Sequence, residues 1–175
     1  KRRISGLILE NGNWERATKE FPDVVYNRCY TSSSRIARRL ERFIGLDKVF
    51  NIYTMFDKYK IYNYFNGSWL AEYMIPTWPY DPILLLNKLS DGQSVLIKPA
   101  RGSLGSNVIK LNKKENAYYA YSQTIHPIGK FETTRQLFAY INRAMEQIRN
   151  YIIQPFISFI TEGDSVFDMR YLVQK

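Results

Sequence analysis

Two periods of apolar residues divide the chain into elements. The clearest helical spacing spans 133–149, where Leu137, Tyr140, Ile141, Ala144, Met145 and Ile148 recur three and four apart. A second helix is predicted over 33–43, with serines before it as caps and Ile36, Leu40 and Phe43 as its buried side. A third spans 56–65, capped by Asp57 and closed by Asn66-Gly67. A fourth opens at Asp81-Pro82 and runs to about Leu89, with proline at its first position. Short apolar runs predict strands at 7–9, 23–28, 49–52, 94–98, 107–111, 117–121 and 151–157, with a closing strand over 166–174. Residues 69–73 read as a turn or strand start, 126–129 as a loop, and Asp91-Gly92 and Gly163-Asp164 as turns. Near the N-terminus the order strand, helix, strand predicts a small α/β layer.

The densest chemistry lies at 94–106. An apolar strand ends in Lys98-Pro99, and the small-residue loop Gly102-Ser103-Leu104-Gly105 comes directly after it. Glycines let backbone approach a ligand closely, and successive N–H groups in such a loop form an anion-binding concavity. Phosphate suits that point best. A Walker loop needs its lysine after the loop, and a dinucleotide fingerprint needs three spaced glycines opening a helix. Neither fits, because Lys98 precedes the loop and a strand comes after it. Strand, glycine loop, strand predicts a hairpin flap over a nucleotide, with a plain surface hairpin as the competing reading. On the closing strand, Asp168, Arg170 and Leu172 share one face. The competing readings there are a local ion pair and a site wall whose guanidinium grips phosphate oxygens.

Composition narrows the class. With 175 residues and 45% hydrophobic content the chain can bury a real core, as one domain or two small lobes. No apolar window of about 18 residues predicts a membrane span, and the basic start lacks the apolar region of a signal peptide. One cysteine, Cys29, excludes an internal disulfide and fits a reducing, cytoplasmic compartment. The net charge of +9 attracts polyanions, and Arg35, Arg38, Arg39 and Arg42 gather on the second helix. That face is either simply solvated or meets an anionic partner. Without an RNA-binding aromatic motif or zinc-finger spacing, charge alone does not assign nucleic acid as the ligand. His126, Cys29 and the three tryptophans read as structural residues.

Several segments in order resemble one family. They are Phe21-Pro22-Asp23-Val24-Val25-Tyr26-Asn27-Arg28, Phe50-Asn51, Phe56-Asp57-Lys58, Leu96-Ile97-Lys98-Pro99 with the glycine loop, 151–157 and 167–175. Together they resemble the endospore coat-associated ATP-grasp proteins of the YheC/YheD type. The resemblance implies an α+β ATP-grasp fold, with two α+β lobes around a nucleotide cleft (residues 56–175), preceded by a small α/β region (residues 1–55). By position it implies that Lys58 and Lys98 contact ATP phosphates and that Gly102, Ser103, Leu104 and Gly105 form the flap. Gln154, Pro155, Phe156 and Ile157 would pair with adenine through backbone. Asp168 and Arg170 would form the polar pair on the next strand, with Arg170 facing phosphate or an acyl-phosphate. An apolar slot with a backbone edge at 153–156 suits adenine, although Pro155 lacks an N–H. Glu162 or Asp164 would reach the ribose.

The implied activity is ligation. ATP phosphorylates an unidentified carboxylate, and an amine or thiol displaces phosphate. The alternatives are a structural coat protein that keeps the fold with little catalysis, partnered by coat proteins, and a polyanion-binding module. The resemblance places the Mg²⁺ ligands after Lys175. The expectation is therefore a piece of a longer protein, incomplete at its C-terminus and catalytically incomplete as given.

Overall fold

The computed structural model describes residues 3–29, 35–102, 104–145, 147–158, 161–162 and 165–166. It divides into two compact units, 1–56 and 57–175.

The first unit opens with an antiparallel hairpin of β1 (Arg3–Glu10) and β2 (Asn13–Glu20). Its two-residue loop is Asn11-Gly12, with φ of 50° and 81°. Both are left-handed, as a tight turn that matches strand twist requires. Next come two short parallel strands, β3 (Val25–Tyr26) and β4 (Val49–Phe50), joined through α1 (Arg35–Ile44). This is the small α/β layer that the sequence predicts. The buried side of α1 differs from the expectation. Ile36 is 73% exposed and Phe43 also faces out, while Ala37 is buried. The inward stripe is Ala37, Leu40, Glu41 and Ile44, one position round the helix.

The second unit is built on a six-stranded antiparallel sheet. Its strands are β5 (Trp78–Pro79), β6 (Val95–Pro99), β7 (Ile109–Lys114), β8 (Ala117–Tyr121), β9 (Gly129–Phe131) and β10 (Tyr151–Pro155), in the spatial order β5-β10-β6-β7-β8-β9. Three helices accompany them: α2 (Lys58–Asn66), α3 (Pro82–Ser90) and α4 (Thr134–Ala144). Asp57 and Asp81 cap α2 and α3 as predicted, accepting from first-turn amides. Gly67 ends α2, but at φ −93° rather than in the left-handed region.

One face of the sheet forms the core. Val95 and Ile97 of β6, Ile109 and Leu111 of β7, and Tyr151 and Ile153 of β10 pack with Leu85 and Leu89 of α3 and with Leu137 and Ile141 of α4. The alternation of β strands sends the intervening residues to the opposite face.

The predicted helix over 133–149 is shorter in the structure. A capping box between Thr133 and Gln136 starts it, but Met145 is already extended and Gln147 is left-handed at φ 50°. The Asn150 side chain donates to Gln147 Oε1 at 2.9 Å and its backbone N–H to Gln147 O. Local polar bonds of this kind compete with the helical ladder and turn the chain into β10. At the C-terminal end, β11 (Thr161–Glu162) pairs with β12 (Ser165–Val166). Most of the predicted closing strand lies outside the described residues.

Candidate functional site

The face opposite the core carries lysines and other polar side chains. Register aligns Gln154, Leu96, Lys110 and Tyr121 in one row across β10, β6, β7 and β8. Lys98 lies opposite Ile152 on the same face.

Lys58 joins this face from α2. Its backbone N–H donates to Ala100 O at 2.9 Å. Its Nζ donates to Pro99 O at 3.1 Å and to Gly102 O at 3.0 Å. The ammonium thus ties the end of β6 to the loop behind it. Burial pushes the Lys58 pKa down, against the opposing pull of Asp57. Burial also pushes the Lys98 pKa down, and the neighbouring Lys58 charge adds to it. Two ammonium groups held near each other in partly dry surroundings repel, and an anion between them would relieve both the repulsion and the desolvation. Asp57 has a double task. Its Oδ1 accepts from Tyr59 N and Lys60 N, and its Oδ2 lies 3.5 Å from Arg101 Nε.

The loop between β6 and β7, expected as a flap or a plain hairpin, joins two antiparallel strands. It contains left-handed residues at Leu104 (φ 58°), Gly105 (φ 69°) and Asn107 (φ 57°). Gly105 O accepts from Gln123 Nε2 at 3.0 Å, and a Cβ on Gly105 would lie 3.1 Å from that nitrogen. Both the left-handed backbone and the close Gln123 nitrogen favour glycine there. Leu104 is 86% exposed at the tip. Ser103 lies outside the described residues.

The segment predicted to meet adenine is the end of β10 and the two residues after it. Gln154 is buried, and its Nε2 donates to Thr77 Oγ1 at 2.6 Å. Thr77 in turn donates to Ile75 O. Pro155 ends the strand. Phe156 N–H donates to Ser94 O at 2.8 Å, so in this conformation it is not a donor for adenine. Ile157 is exposed. The Phe156 ring instead forms a wall, with Lys110 Nζ 3.7 Å from its centroid.

Two of the cavities in this unit border these residues. One, of about 680 Å³, is lined by Leu96, Val108, Lys110, Asn112, Tyr121 and Phe156, with Gly105 of the flap at its margin. The other, of about 770 Å³, is lined by Asp57, Lys60, Arg101, Arg149 and Ile152 among others. The first is a largely apolar slot of a size that holds a small aromatic ligand. The second is rich in cations. Lys98 sits on the strand between Leu96 of the first and Pro99 of the second.

Sequence reading missed Lys110, Asn112 and Tyr121. Their signal was the alternation Ile109, Lys110, Leu111, Asn112 directly after the flap, which puts two polar residues on the face that Lys98 shares. Asp164, Asp168 and Arg170 lie outside the described residues. Glu162 lies in β11. The lysines and the apolar slot fit a nucleoside triphosphate. Among the described residues no three His, Cys, Asp or Glu side chains gather as metal ligands. No described helix is long and apolar enough to cross a membrane.

A family model described as YheC/D-like ATP-grasp matches residues 46–175. No curated protein and no solved structure matches the chain. The match begins ahead of β4 and takes in both lysines, the flap and β10, and on its extent the chain belongs to the YheC/D-like ATP-grasp family.

Proposed function

We propose that this protein binds ATP on the open face of its six-stranded sheet and uses it in an ATP-dependent carboxylate ligation through an acyl-phosphate. The observation that carries the reading is the meeting of Lys58 and Lys98 at the root of a glycine flap, beside an apolar slot. In this reading the lysines balance phosphate charge and the flap amides wrap the phosphates. Gln154, Pro155, Phe156 and Ile157 border the base, and Asp168 and Arg170 are the polar pair whose arginine meets phosphate. Residues 56–175 form the ATP-grasp region and 1–55 a small preceding α/β region. Arg170 stabilises charge on the transferred phosphoryl group, which passes to a carboxylate oxygen. An amine or thiol then attacks the acyl carbon and phosphate leaves. Mg²⁺, when bound with ATP, neutralises phosphate charge. Resemblance to coat-associated proteins supports an endospore-coat setting for the activity.

The test is thermal unfolding of the full chain with and without Mg·ATP. At about 100 times its Kd, a ligand of the native state adds about 2.7 kcal/mol. The wild type is expected to gain that stability, and Lys98→Ala to lose the gain while keeping its ligand-free fold. The absence of any gain in the wild type, or an equal gain in the mutant, would sink the proposal.

A further inference from the structure

The 770 Å³ cavity carries charge that nucleotide binding leaves unmatched. Lys60, Arg101 and Arg149 line it, and Asp57 is the one acid among the described residues of its wall. Asp57 is already engaged, since it caps α2 and lies 3.5 Å from Arg101 Nε. Among the described residues no carboxylate pairs with Lys60 or Arg149. All three cations are open to a ligand: Lys60 and Arg149 are exposed, and 61% of the Arg101 side chain remains accessible. Cations gathered on a concave wall focus their field on an anion that enters. Position along β6 suggests what that anion does. The apolar slot takes Leu96, Lys98 comes next on the same face, and the cavity takes both ends of the β6–β7 loop, at Pro99–Arg101 and at Asn107. At about 3.3 Å per residue, Leu96 and Pro99 are about 10 Å apart along the strand. A nucleotide with its base in the slot and its phosphates at Lys98 therefore ends with its terminal phosphoryl group at the mouth of this cavity.

We infer that this cavity holds the phosphoryl acceptor and that the acceptor is a small polycarboxylate. One of its carboxylates faces the γ-phosphorus, and Lys60, Arg101 and Arg149 hold the others. The inference rests on the ATP reading above and deepens it by naming the substrate class. An oxygen of the reacting carboxylate bonds to the γ-phosphorus while the bond to the β–γ bridging oxygen breaks, so ADP leaves and the acyl-phosphate stays. That carboxylate is committed to the chemistry and cannot also neutralise the far wall. A monocarboxylate would leave Lys60 and Arg149 unmatched, whereas a second or third carboxylate pairs with them. Arginine presents a planar fork that grips a carboxylate through two parallel hydrogen bonds, which fixes orientation as well as charge.

The experiment is calorimetric titration of the full chain, first with Mg²⁺ and the non-hydrolysable analogue AMP-PNP, then, once saturated, with butyrate, glutarate or tricarballylate. It is run on the wild type, Lys60→Met and Arg149→Met, which remove a charge and keep the length of the side chain. In the wild type, affinity should rise from the monocarboxylate to the tricarboxylate by about tenfold or more, the worth of one charge-assisted hydrogen bond. Each variant should weaken tricarballylate about tenfold while AMP-PNP affinity and the ligand-free melting temperature stay as they were. The comparison of the three acids on the wild type stands even if a variant folds poorly. No carboxylate binding, equal affinity for all three, or a rise undiminished in both variants overturns the inference and leaves the ATP site standing. A loss of AMP-PNP affinity as large as that of tricarballylate also overturns it, since these cations would then serve the nucleotide. Failure of the wild type to bind AMP-PNP overturns both readings.

Discussion

Lys58 and Lys98 carry opposite demands in the free and bound states. Their depressed pKa values mean that the folded, ligand-free chain disfavours both protons. That penalty is present at neutral pH and disappears as pH rises through the depressed values toward the ordinary 10.5. Ligand-free stability should therefore gain from these groups at alkaline pH, while affinity for a polyphosphate falls over the same window. Tripolyphosphate titrations from pH 7 to 10 should show affinity declining below 10.5, and Lys98→Met should flatten both trends. A pH-independent affinity would rule out lysine control of the site. Two glycines give a second contrast. Gly105→Ala meets a left-handed φ and Gln123 Nε2 at 3.1 Å, whereas Gly67 has φ −93° and open space. Urea unfolding should show about 1 kcal/mol or more lost for Gly105→Ala and about 0.5 kcal/mol or less changed for Gly67→Ala.

Among the elements, the legible ones carried strong local signals. The Asp57, Asp81-Pro82 and Thr133 starts were readable because a cap is a local bond between neighbours in sequence. The β6–β7 hairpin was readable because β6 is apolar and runs straight into a glycine loop. β2 was not found, since most of its side chains face solvent and no apolar alternation marks it, although Asn11-Gly12 announces the turn. β5 and β9 are too short to show a period and exist by pairing with distant strands. The face of α1 and the end of α4 were misread because apolar spacing reports neither which stripe packs nor where side chains unwind a last turn. The alternation that puts Lys110 and Asn112 on one face was in the sequence, but their neighbours Leu96 and Tyr119 follow only from register. Thr133→Ala removes the α4 capping box, and chemical denaturation should show a loss of about 1 kcal/mol.

Across the whole molecule, packing is unequal. The large core cluster belongs wholly to residues 57–175, while the first unit buries little beyond Ala37 and Val49. A chain trimmed to 57–175 is therefore expected to keep a cooperative melt close to that of the full chain. A melt lost on trimming would show that the first unit is needed for the core. Within that core, Ile153→Ala should cost about 2–5 kcal/mol, because Ile153 is fully buried between β6 and the helices. The contacts that assemble the site are distant along the chain. Lys58 reaches a carbonyl 44 residues away, and Gln154 reaches Thr77 across 77. Closing such loops is a late event when a chain folds. A nucleotide that needs both lysines and the flap therefore finds nothing to hold in a half-formed chain. Added during refolding, it should leave the folding rate almost unchanged and act instead as a brake on unfolding, so that the occupied protein outlives the empty one by the factor that its binding confers.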